Sequence, residues 1–149
     1  MYRPARKLAL ATVLALAAAS AQALDFRSLA EPAILYETPS AQGRKLFIAA
    51  AGTPVEVVVE LEQWLKVREP GGAILWVARS AVQDQHTVLI TASPSAIVRQ
   101  SADAQSAVSF EASTNVVLER VAPAQNGWIQ VRHRNGASGY VRLTDVWGR

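Results

Sequence analysis

Catalysis by side chains needs convergent donors, acceptors and nucleophiles, and this chain supplies few. Its two histidines, His86 and His133, stand in a polar connector and on a hairpin. Neither has a neighbour at metal-ligand spacing, so both are expected on the solvated surface, with pH sensing as the alternative role. Serines are numerous, yet none sits in a G-x-S-x-G elbow or another nucleophile context. Glu60 and Glu62 fall in a turn and are expected in water. The absence of cysteine removes disulfides, thiolate metal sites, a thiol nucleophile and a lipid-modified cysteine. Arg132-His133-Arg134 is the densest basic run; it reads as a soluble hairpin tip, with contact to an anionic ligand as the alternative. Tryptophan offers more. Trp64 and Trp128 are each large enough to anchor the edge of a core or the face of a ligand. Binding is therefore favoured over enzymatic chemistry, with no catalytic residues, no metal and no cofactor expected.

The elements that must position these tryptophans are two copies of one hairpin. WLKVREPGGAILWV, Trp64 to Val77, aligns without a gap on WIQVRHRNGASGYV, Trp128 to Val141. The pair keeps Trp64/Trp128, Val67/Val131, Arg68/Arg132, Gly72/Gly136, Ala73/Ala137 and Val77/Val141, where roughly one identity is expected from average residue usage. That is an internal repeat. In each copy an aromatic residue returns twelve positions later, Trp76 or Tyr140, across a Gly-containing turn, the layout of two antiparallel strands. Asn135-Gly136 supplies residues that tolerate the positive φ of a tight turn.

Residues 1 to 7 carry Arg3, Arg6 and Lys7, the run Leu8 to Ala19 is apolar, and Ala21-Gln22-Ala23 follows. This is the pattern of a secretory signal peptide, expected to occupy residues 1–23 with cleavage after Ala23. The apolar run falls short of the roughly 20 residues that span a bilayer, so stable membrane insertion after cleavage is not expected. Of the 15 basic residues the leader holds three, leaving 12 against 12 acidic ones. A neutral mature chain gives no basis for binding nucleic acid. Export without disulfides fits a bacterial periplasm. The repeat divides the remainder into two small domains, 24–85 and 86–149, with a polar connector at Gln83-Asp84-Gln85-His86.

In the first unit, Leu24 to Pro32 reads as a lead-in and Ala33 to Tyr36 as a strand ended by Pro39. A polar loop follows, then Leu46-Phe47-Ile48, a Gly52-Thr53-Pro54 turn, the β-branched run Val55 to Val59, and the hairpin. In the second unit, Thr87 to Thr91 reads as an added strand or packed linker without a counterpart. Ile97-Val98-Arg99 corresponds to Ile34-Leu35-Tyr36, and Thr114-Asn115-Val116 to Thr53-Pro54-Val55. No helical period is sustained anywhere in the mature chain. About five short strands per unit, with Gly, Pro and Asn turns, predict an all-β protein made of two tandem small β-barrels.

Tyr36 after Ile34-Leu35, a polar loop, the Gly-Thr-Pro turn, W-x-x-V-R, a Gly turn and aromatic-Val together resemble bacterial SH3-like (SH3b) domains. The C-terminal VRHRNGASGYVRLTDVWG is similar to small exported tandem SH3-domain proteins of proteobacteria. The resemblance covers nearly all of residues 33 to 147 and implies SH3-like barrels whose grooves are lined by Tyr36, Trp64 and Trp76 in the first repeat and by Trp128 and Tyr140 in the second. Leu75 departs from it, standing where the family usually has glycine, and implies a differently bent first hairpin. Proline-reading SH3 domains carry further tyrosines; Thr38, Ala81, Arg99 and Asp145 stand at those places, which counts against proline-rich peptides. The reading that follows is a non-catalytic exported module that binds peptidoglycan or an envelope peptide, mainly through the first repeat. The alternative is a structural adaptor that docks onto another envelope protein.

Overall fold

The computed structural model describes residues 23–149. The expected leader lies outside the described residues but for Ala23.

The chain from Phe26 forms two seven-stranded antiparallel sheets of the same topology. The first contains β1 (Phe26–Leu29), β2 (Ala33–Tyr36), β3 (Lys45–Ala49), β4 (Pro54–Glu60), β5 (Trp64–Arg68), β6 (Ile74–Ala78) and β7 (Val82–Gln83), in the order β3-β2-β6-β5-β4-β1-β7. The second contains β8 (Thr87–Ile90), β9 (Ser95–Arg99), β10 (Val108–Ser113), β11 (Val117–Arg120), β12 (Trp128–Arg132), β13 (Ser138–Arg142) and β14 (Val146–Trp147), ordered β10-β9-β13-β12-β11-β8-β14. One 3-10 turn precedes the last strand of each sheet, Arg79–Ala81 and Leu143–Asp145. The fold is thus all-β and tandem, with more strands than the five per unit expected; β1, β7, β8 and β14 are the additions. Strands β3 and β10 are edges, each paired on one side only, and the two-residue strands β7 and β14 close the opposite edges.

Period-two alternation places the core. On β5 and β6, Leu65, Val67, Leu75 and Val77 are buried while Trp64, Lys66, Trp76 and Ala78 face outward. Leu35 and Val55 complete the heart of that core. The second core repeats the arrangement with Val98, Leu118, Ile129, Val131 and Val141. Leu75 does not change the pairing of its hairpin: it stands opposite Val67 as Gly139 stands opposite Val131. Its side chain joins the first core instead.

Two correspondences differ from the sequence reading. Thr87 to Ile90 has a counterpart after all, because β8 pairs with β11 and β14 as β1 pairs with β4 and β7. The supposed lead-in therefore contains a strand. The turns before β4 and β11 also align differently. The Gly52 N–H donates to the Leu29 carbonyl at 2.7 Å, and the Asn115 N–H to that of Ile90 at 2.8 Å. Both residues are left-handed, φ 79° and 68°, a conformation open to glycine and, among side-chain-bearing residues, most readily to asparagine. Gly52 thus matches Asn115, and Thr53-Pro54-Val55 matches Val116-Val117-Leu118.

The two sheets touch. The Thr87 hydroxyl of β8 donates to the Gly52 carbonyl at 2.7 Å, and the Ser28 hydroxyl of β1 ties down the connector through the Gln85 carbonyl at 2.6 Å. Phe26 is buried but stands outside the core of its own repeat, its ring meeting that of Trp147 edge-on at 5.0 Å. Gly148 is buried beside Pro54, with no room for a side chain.

Candidate functional site

On the first sheet, alternation brings Tyr36, Trp64 and Trp76 to one outward face. Tyr36 meets Trp64 edge-on, centroids 5.3 Å apart, and is the strand partner of Trp76. Lys66, opposite Trp76 on β5, holds its ammonium 5.6 Å from that indole. Ile34 and its β3 partner Ile48, 70% exposed, extend the face with aliphatic surface. Ala78 is the strand partner of Trp64 and too small to cover it.

Beside Trp64 and Ala78 runs an open groove of about 470 Å³, also lined by Glu62, Gln63, Arg79 and Ser80. Arg79 holds its sides together. Its Nε and Nη2 donate to the Leu61 carbonyl at 3.2 and 2.8 Å, and Nη2 reaches the Glu60 carboxylate at 3.3 Å. Glu60 accepts from Arg27 as well, and Arg27 pairs with Asp25. Hydrogen bonds from Arg79 and Arg27 hold the Glu60 carboxyl below its ordinary value. Glu60 is therefore exposed, as its turn-like sequence context implied, and serves at the end of β4 as a surface ion-pair hub for two arginines.

The second repeat turns the same positions to another use. Arg142, the strand partner of Trp128, lays its guanidinium over the indole at 4.7 Å, and Trp128 is 8% exposed. Arg99 stands where Tyr36 does and donates to the Ser106 carbonyl at 2.7 Å. Glu111 takes the place of Ile48 and accepts from Ser95. Tyr140 remains half-buried, and with Trp128 it lines a hollow of only about 180 Å³ under the turn 122–127. The first repeat thus gathers three half-buried aromatic residues on one face, whereas in the second Trp128 is covered and only Tyr140 stays half-buried. Sequence reasoning missed Ala78 and Arg142, whose contrast decides this. The signal was available: the gapless alignment, carried one residue past Val77/Val141, sets one against the other.

Neither histidine is simply solvated. His133 is half-buried, its ring 6.3 Å from that of Phe110. His86 is half-buried between the repeats, and its Nδ1 is buried without a partner. Burial, aided by Arg120, holds the His86 imidazole below its ordinary value against the opposing pull of Asp25 and Asp84. Since the unfolded chain binds the proton more readily, stability is fully present above the unfolded pKa of about 6.5 and falls as pH drops below it. Urea unfolding at neutral and mildly acidic pH should show this loss, and His86→Asn should reduce it. An unchanged pH dependence in the variant would assign the loss to other groups. Among the described residues no three of His, Cys, Asp and Glu converge as metal ligands.

No curated protein matches the chain closely enough to count as a relative. Solved structures similar to it include NlpC2 and NlpC1 from Trichomonas vaginalis, each 13% identical with a TM-score of 0.39, over 87% and 94% of this chain and 50% and 51% of theirs. An NlpC/P60 family protein from Bacillus cereus is 17% identical with a TM-score of 0.37, over 82% of this chain and 55% of its own. The chain spans about half the length of these structures. The family model described as Bacterial SH3 domain matches twice, at residues 30–84 and 92–148. Both matches begin after the first strand of their sheet, the strand that the sequence pattern also failed to pair. With one match on each sheet and most of the chain covered, the protein belongs to the bacterial SH3 domain family and carries the domain in tandem.

Proposed function

We propose that this protein is a non-catalytic binding module of the cell envelope that grips peptidoglycan or an envelope peptide through the outer face of its first repeat. One observation carries the reading: Trp64 lies beside Ala78 on a bare aromatic face, whereas Trp128 lies beneath Arg142. Aromatic faces stack on the apolar sides of sugar rings and on extended peptides alike, and the polar groups of Glu62, Gln63 and Ser80 border the groove to orient a ligand. The leader-like residues 1–23 support delivery to the periplasm, and membership of the bacterial SH3 family agrees with a wall ligand. The adaptor reading uses the same face against a folded envelope protein.

Wild-type protein should sediment with purified sacculi, and Tyr36→Ala combined with Trp64→Ala should release it while the second repeat stays folded by amide exchange. Binding should change little with salt, since the mature chain is neutral and the face aromatic. Protein that stays in the supernatant, while cross-linking in cells recovers one dominant protein, would favour the adaptor. Mature protein from fractionated cells should begin at Leu24; material beginning at Met1 in the membrane fraction would overturn the assignment to the periplasm.

A further inference from the structure

A cleft of about 630 Å³ opens where the repeats meet, away from the aromatic face. Ala50 and Ala51, from the turn before β4, form one side with small side chains; Asn115 and Val117 and the basic hairpin residues Arg132, His133 and Arg134 form the other. Its size is that of a small-molecule site.

The basic run is not needed to make the hairpin. The equivalent turn of the first repeat, Arg68-Glu69-Pro70, is closed by a carboxylate: Glu69 accepts from the N–H groups of Gly71 at 2.7 Å and Ala73 at 2.8 Å. In the second repeat His133 takes the place of Glu69. Its Nδ1 accepts from the Asn135 N–H at 3.3 Å, and the Asn135 Oδ1 accepts from the Ala137 N–H at 2.9 Å. The same turn thus forms without a negative charge. With Nδ1 accepting, the ring proton sits on Nε2 as a donor.

Charge is left over. Arg132 faces Glu119 at 3.8 Å, as Arg68 faces Glu56 at 3.4 Å in the first repeat. Arg134 has no equivalent there, where Pro70 stands, and makes no ion pair among the described residues. The cleft is therefore lined by two guanidinium groups, one imidazole and a single carboxylate.

We infer that this cleft is a second binding site, for an oxyanion, a carboxylate or phosphate group carried by a small ligand. Planar guanidinium groups suit such oxygens, which accept two parallel hydrogen bonds. The site is independent of the aromatic face, and its affinity falls as salt is added whereas binding to that face does not.

The test is amide chemical-shift titration of the protein with inorganic phosphate and, separately, with an N-acetylated dipeptide bearing a free carboxylate. Saturable shifts at Ala50, Ala51, Asn115 and His133 with either probe are expected, and the probe that saturates at lower concentration names the oxyanion. Arg134→Gln should weaken the titration about tenfold or more, the effect of losing a hydrogen bond to a charged group, with the unfolding midpoint unchanged. Arg68→Gln should leave it intact. Absence of saturable shifts with both probes, or shifts undiminished in Arg134→Gln, would overturn the inference. Neither result depends on whether the protein sediments with sacculi.

Discussion

Trp128→Ala should destabilise the second repeat by about 3 to 5 kcal/mol, the cost of truncating a buried aromatic side chain. The indole is 8% exposed, and the Arg142 guanidinium rests on its ring at 4.7 Å. Truncation therefore removes the buried contacts of the ring and the seat of the cation together. Against a total stability of about 5 to 15 kcal/mol, that loss is enough to unfold a small domain. Trp64→Ala should behave differently, because its ring is half-buried and bare; it should lose more binding than stability. Urea unfolding followed by amide exchange separates the repeats. Equal midpoints for the two variants would show that Arg142 does not distinguish the tryptophans.

Phe26→Ala should cost a similar amount and be felt in both repeats. Phe26 belongs by sequence to the first sheet, is 5% exposed, and meets Trp147 of the second edge-on at 5.0 Å. Removing the ring empties the joint while leaving Leu35, Leu65 and Val77 in their own core. Cooperative unfolding of the whole should then split into two transitions, since the Thr87–Gly52 hydrogen bond and the packing of Gly148 on Pro54 are left to couple the repeats without an aromatic contact. A single transition shifted as a whole would mean that these remaining contacts suffice.

What could be read from sequence and what could not separates along contact range. The hairpins Trp64 to Val77 and Trp128 to Val141 were legible because their inward and outward residues alternate around a glycine turn. Strand β1 was not. Phe26 and Ser28 are both buried, against Trp147 and the Gln85 carbonyl, which lie more than fifty residues away, and the burial pattern of the strand follows those partners. His86 looked like a connector residue by composition and is half-buried by the same joint. Tyr36, Trp64 and Trp76 were grouped through the resemblance to SH3-like domains, and the structure sets each at an outward position on a paired strand. The covering of Trp128 depends on a cross-strand neighbour, which an alignment of the copies reveals only when read pair by pair.

The two longer edge strands, β3 and β10, differ in how they meet other chains. Residues of β10 include Glu111, and a charge in mid-strand makes pairing with a neighbouring molecule costly. In β3 that position is Ile48, preceded by exposed Leu46 and Phe47, with Lys45 the strand's one charge. The first repeat thus has aliphatic surface at the edge position where the second has a gatekeeping charge. Crowding chains together while β3 is uncovered should make this edge the seam along which they stick, and a ligand seated on the adjacent face would shield it.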